Sequence, residues 1–183
     1  MKRPFCITVF IMLLVTVAAS QKQEMPRRSC HECKVTKNYD RFKDRTQFTL
    51  APMPVADVVE GKMYLSLAAG YKGQTPAGAD KAYVIGITFM AKTAMGANDA
   101  ELIALIDGKP ATFGELALAD QNSLGYLHVV SYMKLTEIDL IRKIGLADKV
   151  EMRFGGIEFQ LTRDQRLAIL DLLNDLEGVP GSR

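Results

Sequence analysis

Cys30-His31-Glu32-Cys33 is the one stretch in which two thiols, an imidazole and a carboxylate crowd together. The spacing suits a redox dithiol, half of a zinc site or a small disulfide. A redox dithiol needs a helix N-terminus to hold its thiol pKa down. Upstream here is the polar run Gln-Lys-Gln-Glu-Met-Pro-Arg-Arg-Ser, without strand or helix period. Structural zinc needs four ligands, and the chain has no second Cys-x-x-Cys or His pair. Attachment of a c-type haem requires histidine directly after the second cysteine, where Lys34 stands. His-Glu-x-x-His fails because Val35 fills the fifth place. The expected state of Cys30 and Cys33 is a disulfide; a thiol or metal protein using Cys30, His31 and Cys33 is the alternative.

His128 is the only other histidine. On an alternating strand it shares a face with Tyr126, Val130 and Tyr132. Two hydroxyls and an imidazole on one face form a candidate ligand-contact surface. The plainer reading is a half-buried strand whose polar tips reach water.

Other signatures fail on single residues. Gly-x-Ser-x-Gly is absent. Gly73 and Gly78 have phosphate-loop spacing, but Ala79-Asp80 stands where Lys-Ser/Thr is required. Asn98-Asp99 lacks the alternating ligands of a calcium loop. Asp107, Asp120, Glu115 and Glu101 read as turn or surface carboxylates, and a paired-carboxylate site among them depends on folding. No catalytic residue, metal or cofactor is assigned. Lys37, Arg41 and Arg45 would form a basic stripe on a short helix, with Tyr39 and Phe42 on another side. An anionic partner such as lipid headgroups or an acidic glycan fits that stripe; Asp40 and Asp44 offset it locally.

The elements that must position these groups begin after a segment built for export. Lys2 and Arg3 precede the uncharged apolar run Phe5 to Val17, and Ala18-Ala19-Ser20 supplies small residues for cleavage. Residues 1–20 therefore read as a signal peptide, placing the mature chain outside the cytoplasm, periplasmic or secreted. The run is shorter than the ~20 apolar residues of a membrane span, and no later run is longer, so no span is expected after cleavage. Cys6 leaves with it. Loss of Lys2 and Arg3 takes Lys+Arg from 23 to 21, equal to the 21 Asp+Glu, which removes the electrostatic case for nucleic-acid binding. A chain of 183 residues, 48% hydrophobic and 24% charged, has enough material for one core.

Residues 21–38 read as a flexible leader carrying the Cys-x-x-Cys, 39–178 as a single α+β domain and 179–183 as a frayed tail. Strand periods appear at Gln47–Leu50 (ended by Pro52 and Pro54), Lys62–Ala69, Ala82–Lys92, Glu101–Ile106, Ala111–Leu118 and Gly125–Leu135. Ala82–Lys92 is apolar on both faces and should be central. Thr136-Glu137-Ile138-Asp139 resembles a helix cap, with the helix ending near Ala147. Val150–Phe154 and Ile157–Leu161 flank Gly155-Gly156. A two-residue turn there pairs Phe154 with Ile157, Met152 with Phe159, Val150 with Leu161 and Arg153 with Glu158. Thr162-Arg163-Asp164-Gln165 reads as a capping box, opening a helix with Ile169, Leu172, Leu173 and Leu176 on one face. The expected fold is α+β: a mainly antiparallel sheet, with a C-terminal β-hairpin followed by a helix packed on it.

Export and the failed catalytic signatures favour a non-catalytic binding or interaction module for an unknown protein or small-molecule ligand. A hydrolase whose residues converge only in space is the alternative. The loops at 70–81 and 93–100, or the neighbourhood of Cys30–Cys33, are the expected places for a functional focus.

Overall fold

The computed structural model describes residues 35–76, 80–93, 96–97 and 99–177. The segment read as a signal peptide, Cys30, Cys33 and residues 178–183 lie outside the described residues. Among those described, no helix is long and apolar enough to cross a membrane.

The organising element is β4 (Lys81–Ala91), buried on both faces along most of its length because β-branched and small residues fill both parities. It pairs antiparallel with β3 (Gly61–Lys72) on one side and β8 (Leu127–Thr136) on the other. With β1 (Val35–Asp40), β2 (Arg45–Val58) and β7 (Ala117–Leu124) they form a six-stranded sheet, ordered β1-β2-β3-β4-β8-β7. Cross-strand rows such as Met53–Leu65–Ile87–Tyr132 line its inner face. A four-stranded sheet, ordered β10-β9-β5-β6, joins β10 (Ile157–Gln160), β9 (Val150–Phe154), β5 (Glu101–Ile106) and β6 (Lys109–Glu115). Phe154 of β9 meets Phe89 and Tyr132 of the larger sheet at centroid distances of 6.1 and 5.3 Å, so the two inner faces share one core.

Helices cover the rest of that core. α1 (Ile138–Leu146) packs on α2 (Arg163–Glu177), and α2 lies over β1, β2 and β3. The two approach closely at Gly145, where an added Cβ would come within 2.6 Å of Leu170 Cδ2. Arg142 forms an ion pair with Glu177 across the same contact. The α+β class is as expected, and the last helix packs on the sheet through Ala168, Ile169, Leu172, Leu173 and Leu176.

The C-terminal hairpin has the expected register. Phe154 pairs with Ile157, Arg153 with Glu158 and Met152 with Phe159. Leu161 N–H donates to the Val150 carbonyl at 3.0 Å. Gly155 and Gly156 have φ of 59° and 82°, the two positive values of a type I′ turn. The capping box is reciprocal: Gln165 N–H donates to Thr162 Oγ1 at 3.2 Å, and Thr162 N–H to Gln165 Oε1 at 2.8 Å. Gln165 Nε2 also donates to the Pro54 carbonyl at 2.8 Å, fixing the helix start to β2.

Several expectations are corrected. Among the described residues, 35–45 form no helix; Val35–Asp40 is a strand paired in register with Arg45–Leu50. The segment lacks a single apolar helical face, and Asp40 instead closes a turn by accepting the N–H groups of Phe42 and Lys43 at 2.9 and 3.2 Å. Residues 35–38, read as leader, thereby belong to the sheet. Strand β2 passes through Pro52 and Pro54 rather than ending there. Its pairing with β1 stops at Leu50, so among the described residues β3 alone flanks the prolines, and the register shifts beside them. The single strand expected at Ala111–Leu118 divides at Leu116 into β6 and β7, one in each sheet. Leu116 is buried, and its N–H donates to the Ala100 carbonyl at 2.8 Å. The N-cap of α1 is Glu137, without a side-chain cap bond, so Thr136 does not cap it. The hairpin belongs to the smaller sheet: β10 pairs with β9, and β9 in turn with β5.

Candidate functional site

The four-stranded sheet turns Leu102, Ala104, Val150, Met152, Phe154 and Phe159 inward. Strand alternation then turns Ile103, Leu105, Glu151, Arg153, Glu158 and Gln160 outward. These residues line a concave depression of about 400 Å³, open to solvent. Two cross-strand rows build it: Ile103–Arg153–Glu158 and Leu105–Glu151–Gln160. Each row starts on an apolar side chain and ends on polar ones. Leu105 is 40% exposed, so the apolar part is open to a partner.

Glu151 takes an ion pair from Lys149 at 3.0 Å. Arg153 and Glu158 are register partners, yet no ion pair of 4.0 Å or less between described residues involves either one. The charges are matched in sequence but not spent on each other. The depression contains no hydroxyl, thiol or imidazole among its lining residues. Its lining offers apolar contact, one cation and two carboxylates, a set that can bind. Among the described residues, no three or more His, Cys, Asp or Glu side chains gather to hold a metal ion.

Tyr126, His128 and Tyr132 occupy three different environments. Tyr126 lies in the turn before β8 and is 77% exposed. His128 is half-buried near the start of β8, its Nδ1 3.2 Å from Ser123 Oγ on β7. Tyr132 is a core residue in edge contact with Phe89 and Phe154. Its hydroxyl accepts the Ala97 N–H at 2.9 Å, which holds the segment entering β5 against the sheet. None of the three lines the depression.

The basic residues separate as well. Lys37 lies over the Phe48 ring at 5.3 Å, whereas Arg41 stacks on Phe42 at 4.8 Å in the β1–β2 turn. Of the loops favoured for a site, residues 77–79, 94, 95 and 98 lie outside the described residues. The described parts make structural bonds: Gly73 N–H to the Asp44 carbonyl at 2.7 Å, and Glu101 N–H to Asp99 Oδ1 at 3.0 Å.

Sequence reasoning did not single out Ile103, Leu105, Arg153 and Glu158 as a site. The available signal was the run Glu-Leu-Ile-Ala-Leu-Ile, apolar at both parities, in a strand with one covered face. No protein-family model, curated protein or solved structure matches the chain.

Proposed function

We propose that the protein is an exported, non-catalytic binding module whose contact surface is the outer face of the four-stranded sheet. The observation that carries this reading is an outer face on which exposed Leu105 and half-buried Ile103 lie beside Arg153 and Glu158, register partners that form no ion pair of 4.0 Å or less. Export rests on the charged start, apolar run and small residues of 1–20, and places the module in the periplasm or outside the cell. A depression of about 400 Å³ is within the usual range of small-molecule sites and can equally receive a short apolar segment of a protein partner. Arg153 and Glu158 would select the orientation of what binds, while Ile103 and Leu105 supply contact area.

Native mass spectrometry of protein purified from its own host tests this reading. Wild-type protein is expected to retain a bound species that Leu105→Arg loses without a change in thermal unfolding. Retention of nothing, or equal retention by both proteins, would count against this surface.

A further inference from the structure

We propose that the β1–β2 hairpin tip docks on an anionic lipid surface, independently of the depression on the other sheet. The tip is Arg41-Phe42-Lys43-Asp44. Phe42 is 87% exposed, the most exposed large apolar side chain among the described residues. Arg41 stacks on its ring at 4.8 Å, and Lys43 follows it in the chain.

The turn is held in place from within. Asp40 Oδ1 accepts the N–H groups of Phe42 and Lys43 at 2.9 and 3.2 Å. Tyr39 donates its hydroxyl to Asp44 Oδ1 at 2.9 Å, and Gly73 N–H reaches the Asp44 carbonyl at 2.7 Å. Two of the local carboxylates are thus engaged in shaping the turn; Asp40 also lies 4.0 Å from Lys43 Nζ. Phe42 is therefore presented on a fixed support, so ordering it on binding costs little.

The sheet brings further cations to this end. Lys72 closes β3 beside Arg45, and Lys81 opens β4 opposite Tyr71. Asp80 is the acidic residue adjoining them in the chain. An aromatic ring at the apex with cations around its base matches the depth profile of a bilayer interface. There the ring enters the boundary region while ammonium and guanidinium groups stay among anionic headgroups. Phe42 has no hydroxyl with which to hydrogen-bond a sugar and stands at the apex with the cations behind it, an order that favours lipid as the occupant.

The test is co-sedimentation of the full chain with phosphatidylcholine vesicles containing about a third phosphatidylglycerol, and with phosphatidylcholine alone. Binding is expected to the anionic vesicles and to weaken as NaCl is raised from about 0.05 M to about 0.5 M. Phe42→Ser should weaken it about tenfold. Lys43→Gln and Lys72→Gln should each weaken it about fivefold. These positions are exposed, and unchanged thermal unfolding would show the variants folded. No binding to anionic vesicles overturns the proposal. So does binding that Phe42→Ser and Lys43→Gln leave intact, which would assign it to another segment such as residues 5–17. Retention on heparin without vesicle binding overturns it in favour of a glycan.

Discussion

Replacing Phe154 with alanine should reveal whether the two sheets share one core. The side chain is fully buried on β9 and touches rings from β4 and β8, at 6.1 Å from Phe89 and 5.3 Å from Tyr132. Truncating a buried phenylalanine costs about 3–5 kcal/mol through lost transfer energy and the cavity left behind. Loss of the aromatic pairs, about 0.5–1.5 kcal/mol each, pushes the value toward the upper end. Against a total stability of about 5–15 kcal/mol for a domain, this is a third or more. A chain of this size should melt roughly 10 °C lower. Urea unfolding followed by far-UV circular dichroism would measure the change, with m unaltered if the transition stays two-state. Leu105→Ala is the control. It lies on the same sheet's outer face, 40% exposed, and should cost less than about 1 kcal/mol. A loss below about 1 kcal/mol for Phe154→Ala, or equal losses for both variants, would refute the shared core.

Other outcomes follow from single contacts. Tyr132→Phe leaves the Ala97 N–H without its 2.9 Å acceptor and should cost about 1–3 kcal/mol in urea unfolding; no loss would mean the hydroxyl is dispensable to the fold. Gly155→Val forces a β-branched residue to φ 59° with a Cβ 3.0 Å from that of Ala97, and should lower stability by more than about 2 kcal/mol; unchanged thermal unfolding would argue against the turn. Burial pushes the Tyr83 hydroxyl pKa above 10.0, helped by Glu177 and opposed by Arg142. The folded state then holds this proton more tightly than the unfolded state, so the stability it contributes is whole below 10.0 and is lost as pH rises through that value toward the higher folded one. Tyr83→Phe should flatten the fall in urea midpoint above about pH 9.5, and an identical fall in both proteins would contradict this. On the proposed export, Cys30 and Cys33 should form a disulfide, seen as a gain of two hydrogens in intact mass on reduction; free thiols in freshly isolated protein would contradict it.

The C-terminal unit was legible because every local rule there agrees. Glycines supply two positive φ values, alternation buries Val150, Met152 and Phe154, and Thr162 with Gln165 caps the helix. Where local signals were weak, backbone pairing decided. β7 carries Ala-Leu-Ala-Asp-Gln-Asn-Ser-Leu, an edge strand with no apolar face, and only its ladder with β8 reveals it. Val35–Asp40 carries a lysine and few apolar residues, so its strand state comes from the partner Arg45–Leu50. The chain changes sheets at Leu116, two residues after Gly114, whose φ of 72° accompanies a register shift; in sequence that glycine looks like any other inside a strand period. The depression was half legible. Alternation alone places Ile103 and Leu105 on one face of β5 and Arg153 on one face of β9. Which face is covered depends on Phe154 finding Phe89 and Tyr132, a contact between distant parts of the chain. The same contact removes Tyr132 from the surface that its spacing from Tyr126 and His128 suggests.

Carbodiimide labelling of carboxylates, read by mass spectrometry, tests the proposed binding face most directly. Glu158 borders the depression, and Glu115 at the end of β6 is an exposed carboxylate outside its lining. Labelling is compared between the host's extracytoplasmic extract and protein purified through unfolding and refolding. If the outer face of the four-stranded sheet is the contact surface, Glu158 is protected in the extract and modified after purification, while Glu115 reacts equally in both. Equal modification of Glu158 in the two preparations would contradict a binding role for this face.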